Sequence, residues 1–144
     1  FSRKLAATST SLALSTRLAK KKGWTVHYLS AQVMKECIEN SGATFDDERD
    51  AAPELCEDRG EGRPGYFAAY ERLRQDEFPG VKAWECRAHL ENKFLLKKLP
   101  GTIKWLKSKR PSVVVYCPIW NRIAQCASLV IGIPHVPIIT IAGF

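Results

Sequence analysis

The run Val113-Val114-Val115-Tyr116 carries no polar residue and no alternation, the mark of a strand covered on both faces in a parallel sheet. Behind it, residues 121–131 place Ile123, Ala124, Ala127, Leu129 and Val130 at helical spacing, and Gly132 falls where a left-handed cap ends a helix. Residues 135–141 (HVPIITI) then read as a second strand. Strand, helix and strand with a crossover of this length make a parallel βαβ unit, so the expected class is α/β, a Rossmann-like parallel sheet flanked by helices. Pro137 has no N–H to give a ladder, so it belongs near its strand's start or at an unpaired position.

The preceding residues extend the alternation. Residues 9–22 suit a helix, with Ser9, Thr10 or Ser11 as its cap and Gly23 as its stop. Residues 25–30 (TVHYLS) read as a strand, 31–40 as a helix with Val33, Cys37 and Ile38 on one face, and 43–45 as a short strand. Helical spacing returns over 66–99 in Phe67, Tyr70, Leu73, Phe94 and Leu95, interrupted near Pro79-Gly80, and 102–109 reads as a separate helix ending before Pro111. Residues 46–65, rich in acid and broken by Pro53, Gly60, Gly62, Pro64 and Gly65, read as a solvated, flexible excursion. The 144 residues fit one domain, expected to be an incomplete one because the chain opens at Phe1 and stops on Ile141-Ala142-Gly143-Phe144.

Charge narrows the function classes. Seven bases against two acids give residues 1–40 a net +5, five against eleven give 41–80 a net −6, and ten against two give 81–144 a net +8, for +7 overall. The basic groups cluster at the ends of expected helices, where cations favour the negative end of the helix dipole, and they lack the interleaved stacking aromatics of nucleic-acid binders. No nucleic-acid partner is therefore expected. The apolar runs fall well short of the ~20 residues that span a bilayer, so no transmembrane segment is expected either. Five cysteines, odd in number and without a C-x-x-C pair, point to free thiols in a reducing, cytoplasmic setting rather than a metal or disulfide framework.

Ligands of open parallel sheets bind outside the carboxyl ends of the strands. The residues that follow the expected strands there are Ser30 and Gln32; Cys117, Ile119, Trp120 and Asn121; and Thr140 and Phe144. Apolar groups with a few hydroxyl, thiol and amide functions suit a small lipophilic ligand better than a phosphate. The glycine-rich phosphate loops G-x-G-x-x-G and G-x-x-x-x-G-K-[ST] are absent, as is the G-x-S-x-G elbow of α/β-hydrolases. Cys117 has no base placed beside it by sequence, so it reads as an inert thiol, and His27, inside a strand, reads as a packed residue.

Two blocks carry a family pattern. Residues 14–30 (LSTRLAKKKGWTVHYLS) followed by 37–45 (CIENSGATF), and residues 109–117 (KRPSVVVYC) followed by 124–136 (AQCASLVIGIPHV), occur in order with a helical stretch between them. Together they resemble the UDP-glycosyltransferase family, in particular its macrolide glycosyltransferase-like branch. The resemblance implies the N-terminal half of a GT-B fold, in which one Rossmann-like domain binds the acceptor and a second holds the UDP-sugar. Residues 1–144 would be the acceptor-binding domain, with the C-terminal donor domain missing and no cofactor or metal held by this chain. In the family a histidine in a G-H-x-x-P loop deprotonates the acceptor hydroxyl, and an aspartate after the "V-Y" strand steadies the imidazolium. Here residues 7–11 supply no histidine and Cys117 stands in the aspartate's place. The chain alone is thus expected to transfer no sugar, and the competing reading is a non-catalytic α/β module that binds a lipophilic ligand or a partner protein.

Overall fold

The computed structural model describes residues 2–21, 23–118 and 121–138, with side chains from residue 11 onward other than those of 83 and 84. In chain order the elements are α1 (Ser2–Ala19), β1 (His27–Ser30), a 3-10 turn (Gln32–Met34), α2 (Lys35–Asn40), β2 (Thr44–Asp47) and α3 (Glu48–Ala51). There follow α4 (Tyr66–Glu77), α5 (Ala83–Lys109), β3 (Val114–Tyr116), α6 (Arg122–Ile131) and β4 (His135–Pro137). Helix and strand alternate as anticipated, and every pairing is parallel. The strands do not join into one sheet, however: β1 pairs with β2, and β3 pairs with β4, as two separate two-stranded units.

Helix α1 begins at Ser2, well before the expected cap at Ser9, Thr10 or Ser11. Ser15 Oγ and Thr16 Oγ1 both donate to the Leu12 carbonyl, at 3.0 and 2.8 Å. Ser15, 2% exposed, also meets Ser41 Oγ at 3.0 Å and so seats α1 against the turn between α2 and β2. That turn needs Gly42, whose φ is +84° and whose absent Cβ would sit 3.2 Å from the Cβ of Ala19.

The register His27↔Thr44 through Ser30↔Asp47 puts His27, Leu29, Thr44 and Asp46 on one face of the first sheet. Strand β2 runs two residues beyond the expected 43–45. Asp46 and Asp47 are held in it by His27, Lys109 and Arg49 rather than released to solvent. The acidic stretch therefore starts as strand and helix through Ala51, and Ala51, Ala52 and Cys56 are buried.

The largest departure is α5, which runs unbroken for 27 residues, about 40 Å, through Pro100 and Gly101, where a break between two helices was expected. Pro100 and Leu96, one turn apart, are both exposed, so the hydrogen bond that proline forgoes lies on the water-facing side. Thr102, buried, back-bonds to the Lys98 carbonyl at 3.0 Å. Gly101 has a second task, since a Cβ built on it would fall 1.3 Å from the carbonyl oxygen of Ala51. Only a hydrogen at that position lets α3 lie directly on α5.

Two cores share this helix. Its first half packs Cys86, Leu90 and Phe94 against Ala69 and Leu73 of α4, with Tyr66 and Tyr70 edge-on to the Phe94 ring at 5.9 and 5.4 Å. Its second half packs Leu106 against Val114 of β3 and Ala127 of α6. Strand β3 is covered on one face only: Val114 and Tyr116 are buried, but Val115 is 42% exposed, because helices cover just one side of a two-stranded sheet. Pro137 pairs in register with Tyr116, and the backbone bonds to β3 come from Pro134 and Ile138. Its missing N–H therefore falls on the unpaired side of β4, where the sequence placed it.

Two substitutions test this framework. Gly101→Ala should cost about 3 kcal/mol or more in urea unfolding, because backbone rather than a side-chain tip must move; a cost below ~1 kcal/mol would show that α3 does not rest on Gly101. Arg110, which ends α5 in the left-handed region at φ +48°, is the one non-glycine residue with positive φ among those described. Arg110→Gly should stabilise the fold by about 1 kcal/mol, read in the same assay.

Candidate functional site

Ser30 ends β1 and Asp47 ends β2, so the two lie side by side at the carboxyl edge of the first sheet. Asp47 caps α3, accepting from the Arg49 backbone N–H at 2.9 Å. The Arg49 guanidinium folds back onto the same carboxylate, with Nε 3.0 Å from each oxygen and Nη2 2.5 Å from Oδ2. This two-pronged contact is the strong form of a charge-assisted bond. It holds the Asp47 carboxyl below the usual carboxylate range and lifts the Arg49 guanidinium further above neutrality.

Arg49 also reaches the side-chain oxygen of Gln32 at 3.4 Å, and Arg63 closes the cluster by donating to the Arg49 carbonyl at 2.9 Å and to Asp50 at 3.0 Å. Gln32 is thereby drawn to the edge that Ser30 and Asp47 share. An open groove of about 340 Å³ runs from it past Val33, Lys35, Glu36, Glu39 and Asn40. The lining is polar, in contrast to the apolar wall expected from the sequence, because α2 turns its charged face outward and only Ile38 inward.

The buried groups beside this edge are chemically quiet. Burial pushes the Cys56 thiol up to about 11, with the Glu48 carboxylate adding to the effect, so it stays protonated at neutral pH. Burial also raises the Tyr66 phenol, again reinforced by Glu48. The Tyr66 hydroxyl has no hydrogen-bond partner in its buried position, while its backbone N–H donates to Glu48 Oε1 at 2.9 Å and fixes the start of α4. Neither group is poised as a nucleophile or base.

At the second sheet, Cys117 follows β3, and its carbonyl accepts from the Asn121 backbone N–H at 2.8 Å, which folds the loop before α6. Asn121 precedes α6 without a side-chain capping bond, and it is exposed. Of the expected site residues, Ser30 and Gln32 thus gather at the first sheet and Cys117 and Asn121 at the second. Ile119, Trp120, Thr140 and Phe144 lie outside the described residues. No cluster of three or more His, Cys, Asp or Glu is placed to hold a metal among the described residues. Nor is any described helix long and apolar enough to cross a membrane.

Sequence reading missed a second cluster. His27 Nδ1 lies 3.2 Å from Asp46 Oδ2, and Lys109 Nζ lies 2.6 Å from Asp46 Oδ1. Strand alternation alone puts His27 and Asp46 on one face once the register is known, but the register is set by tertiary packing. His27 opens β1 at the amino end of the sheet and Asp46 stands one residue before the carboxyl end of β2, so the cluster runs along one face of the sheet and ties it to α5.

The Asp47–Arg49 pair sets a pH dependence. A carboxyl lowered in the folded state stabilises fully above its unfolded value near 3.8, and that contribution disappears as pH falls through the lower, folded value. Asp47→Asn should therefore cost about 1–2 kcal/mol at neutral pH. The gap to the parent chain should close in strong acid, as read by urea midpoints across pH; a gap independent of pH would rule out the ion pair as its source. No family model, curated protein or solved structure matches the chain.

Proposed function

We propose that residues 1–144 form the acceptor-binding part of a UDP-sugar-dependent glycosyltransferase, built as a Rossmann-like domain of a GT-B fold. The observation that carries this reading is that both motif blocks fold as strand, helix and parallel strand. Each block brings an uncharged polar pair to its carboxyl edge, Ser30 with Gln32 and Cys117 with Asn121. Parallel strands bind ligands at that edge, and hydroxyl and amide groups there suit an acceptor that is largely apolar and carries a hydroxyl.

The chemistry of transfer needs a base to take the acceptor's proton as its oxygen attacks the anomeric carbon. The family's histidine position is filled by residues 7–11 and its aspartate position by Cys117, so this edge offers no such base. The His27–Asp46 pair has the right groups, but His27 opens β1 at the amino end of the sheet and Asp46 is engaged by Lys109 of α5. The chain's role is therefore to bind and orient an acceptor, with the UDP-sugar held elsewhere. The same departure favours the second reading, a binding module of this fold that performs no transfer.

Thermal-shift and UDP-release measurements with a hydroxylated flavonoid and a macrolide test the acceptor reading. Binding should raise the melting temperature without UDP release. Asn121→Ala should weaken it by about three- to tenfold, the loss of one hydrogen bond. Acceptor-dependent UDP release above the enzyme-free rate would show a complete catalytic site, and no shift with any hydroxylated lipophile would remove the acceptor reading.

A further inference from the structure

Helix α5 changes character along its length. Its first part mixes signs, with Glu85, Arg87 and Glu91, and Arg87 Nε donates to Glu91 Oε1 at 2.7 Å. Of the ten bases and two acids in residues 81–144, only Lys82, Glu85, Arg87 and Glu91 precede residue 92, so residues 92–144 hold eight bases and no acid. Two of the eight are committed inside the fold, Lys93 to Glu77 and Lys109 to Asp46. A third, Lys98, lies 4.1 Å from the centre of the Tyr66 ring and 5.2 Å from that of Phe94.

The other lysines of the helix share one face. With 3.6 residues per turn, Leu96, Lys97, Pro100, Lys104 and Lys107 project within an arc of about 100°, and the row from Lys97 to Lys107 is about 15 Å long. All five are exposed, Leu96 at 65%, whereas Thr102 and Leu106 on the other side of the same stretch are buried. The helix dipole accounts for cations in the last turn, Lys107 and Lys109, but its effect has faded by Lys104 and Lys97. A helix face that only meets water gains from alternating signs at i and i+4, as Arg87 and Glu91 do, and this one has a single sign.

We infer that this face of α5 docks on a membrane surface rich in anionic lipid headgroups. A row of one sign complements a surface of the other sign. Lysine is a compact, hydrated charge on a long apolar stem, so it reaches the headgroups while its stem lies along the interface. Leu96 and Pro100 stand among the lysines and enter the boundary between headgroups and acyl chains. Nucleic acid fits the arc less well, because the arc carries no aromatic ring to stack on a base and no guanidinium to fork onto a phosphate. The inference stands apart from the acceptor reading, since it uses none of the residues at the strand ends.

Vesicle co-sedimentation of the 144-residue chain tests this, with phosphatidylcholine alone against phosphatidylcholine holding about 30% phosphatidylserine. At low salt the chain should bind the anionic vesicles at least about tenfold more tightly, and it should come off as salt rises to about 0.5 M. One cation near such a surface is worth about fivefold in partitioning, so Lys104→Ala with Lys107→Ala should weaken binding about 25-fold. Arg59→Ala with Arg87→Ala removes the same net charge elsewhere, Arg87 pointing away from the arc, and should weaken it less than about threefold. Leu96→Ser should weaken binding about three- to tenfold without changing its salt dependence, a loss that a purely electrostatic partner does not show. Circular dichroism confirms that each variant is folded; should the lysine pair not fold, Lys97→Ala decides, with a loss of about fivefold. Equal binding to the two kinds of vesicle, no binding to the anionic ones at low salt, or equal losses in the two charge-deleted pairs would each overturn the inference. So would tighter binding to a duplex oligonucleotide that Leu96→Ser leaves intact.

Discussion

The contact of Gly101 with the carbonyl of Ala51 is the constraint on which the rest of the fold hangs. It allows α5 to pass α3 at backbone distance and to continue past Pro100 as one helix. Because the helix is not broken, one rigid element carries Leu90 and Phe94 into one core, Leu106 into the other, and Lys109 onto Asp46 of β2. A side chain at residue 101 would hold α3 away and with it the end of β2. Proline in a helix interior costs about 3 kcal/mol, and the burial of residues on both sides of Pro100 offsets that cost.

Adjacent acids show how strand alternation turns sequence into architecture. Asp46 and Asp47 are neighbours in β2 and so point to opposite faces of the sheet. Asp46 meets Lys109 and His27 and fastens the sheet to α5, while Asp47 caps α3 and engages Arg49. Both side chains are less than one-fifth exposed, so each needs a partner to replace the hydration it loses. A single slip of register would exchange these roles and leave both carboxylates without partners.

The sequence made the alternation of helix and strand legible, together with the parallel hand and the outward place of Pro137. Each rests on local chemistry: unbroken apolar runs, the Gly132 cap, a missing N–H. What it could not show depends on distant partners. The Pro100-Gly101 pair is a helix breaker by propensity, and it is overruled by packing with distant residues, among them Ala51, fifty residues earlier in the chain. A helix start was read at Ser9, Thr10 or Ser11, and helix α1 begins at Ser2 instead. The whole candidate site was read from strand ends, and of it Ser30, Gln32, Cys117 and Asn121 lie among the described residues. The Arg49–Arg63 cluster that flanks it arises from the acidic stretch, whose composition had suggested only solvated loop.

The position of Pro100 has a consequence for how the molecule holds together. The proline stands between the buried residues of the two cores of α5, with Leu90 and Phe94 on one side and Leu106 on the other, at a point where the helix gives up a backbone hydrogen bond. A helix melts most readily where its ladder is already interrupted. The boundary between cooperative units therefore falls inside an unbroken helix rather than in a loop.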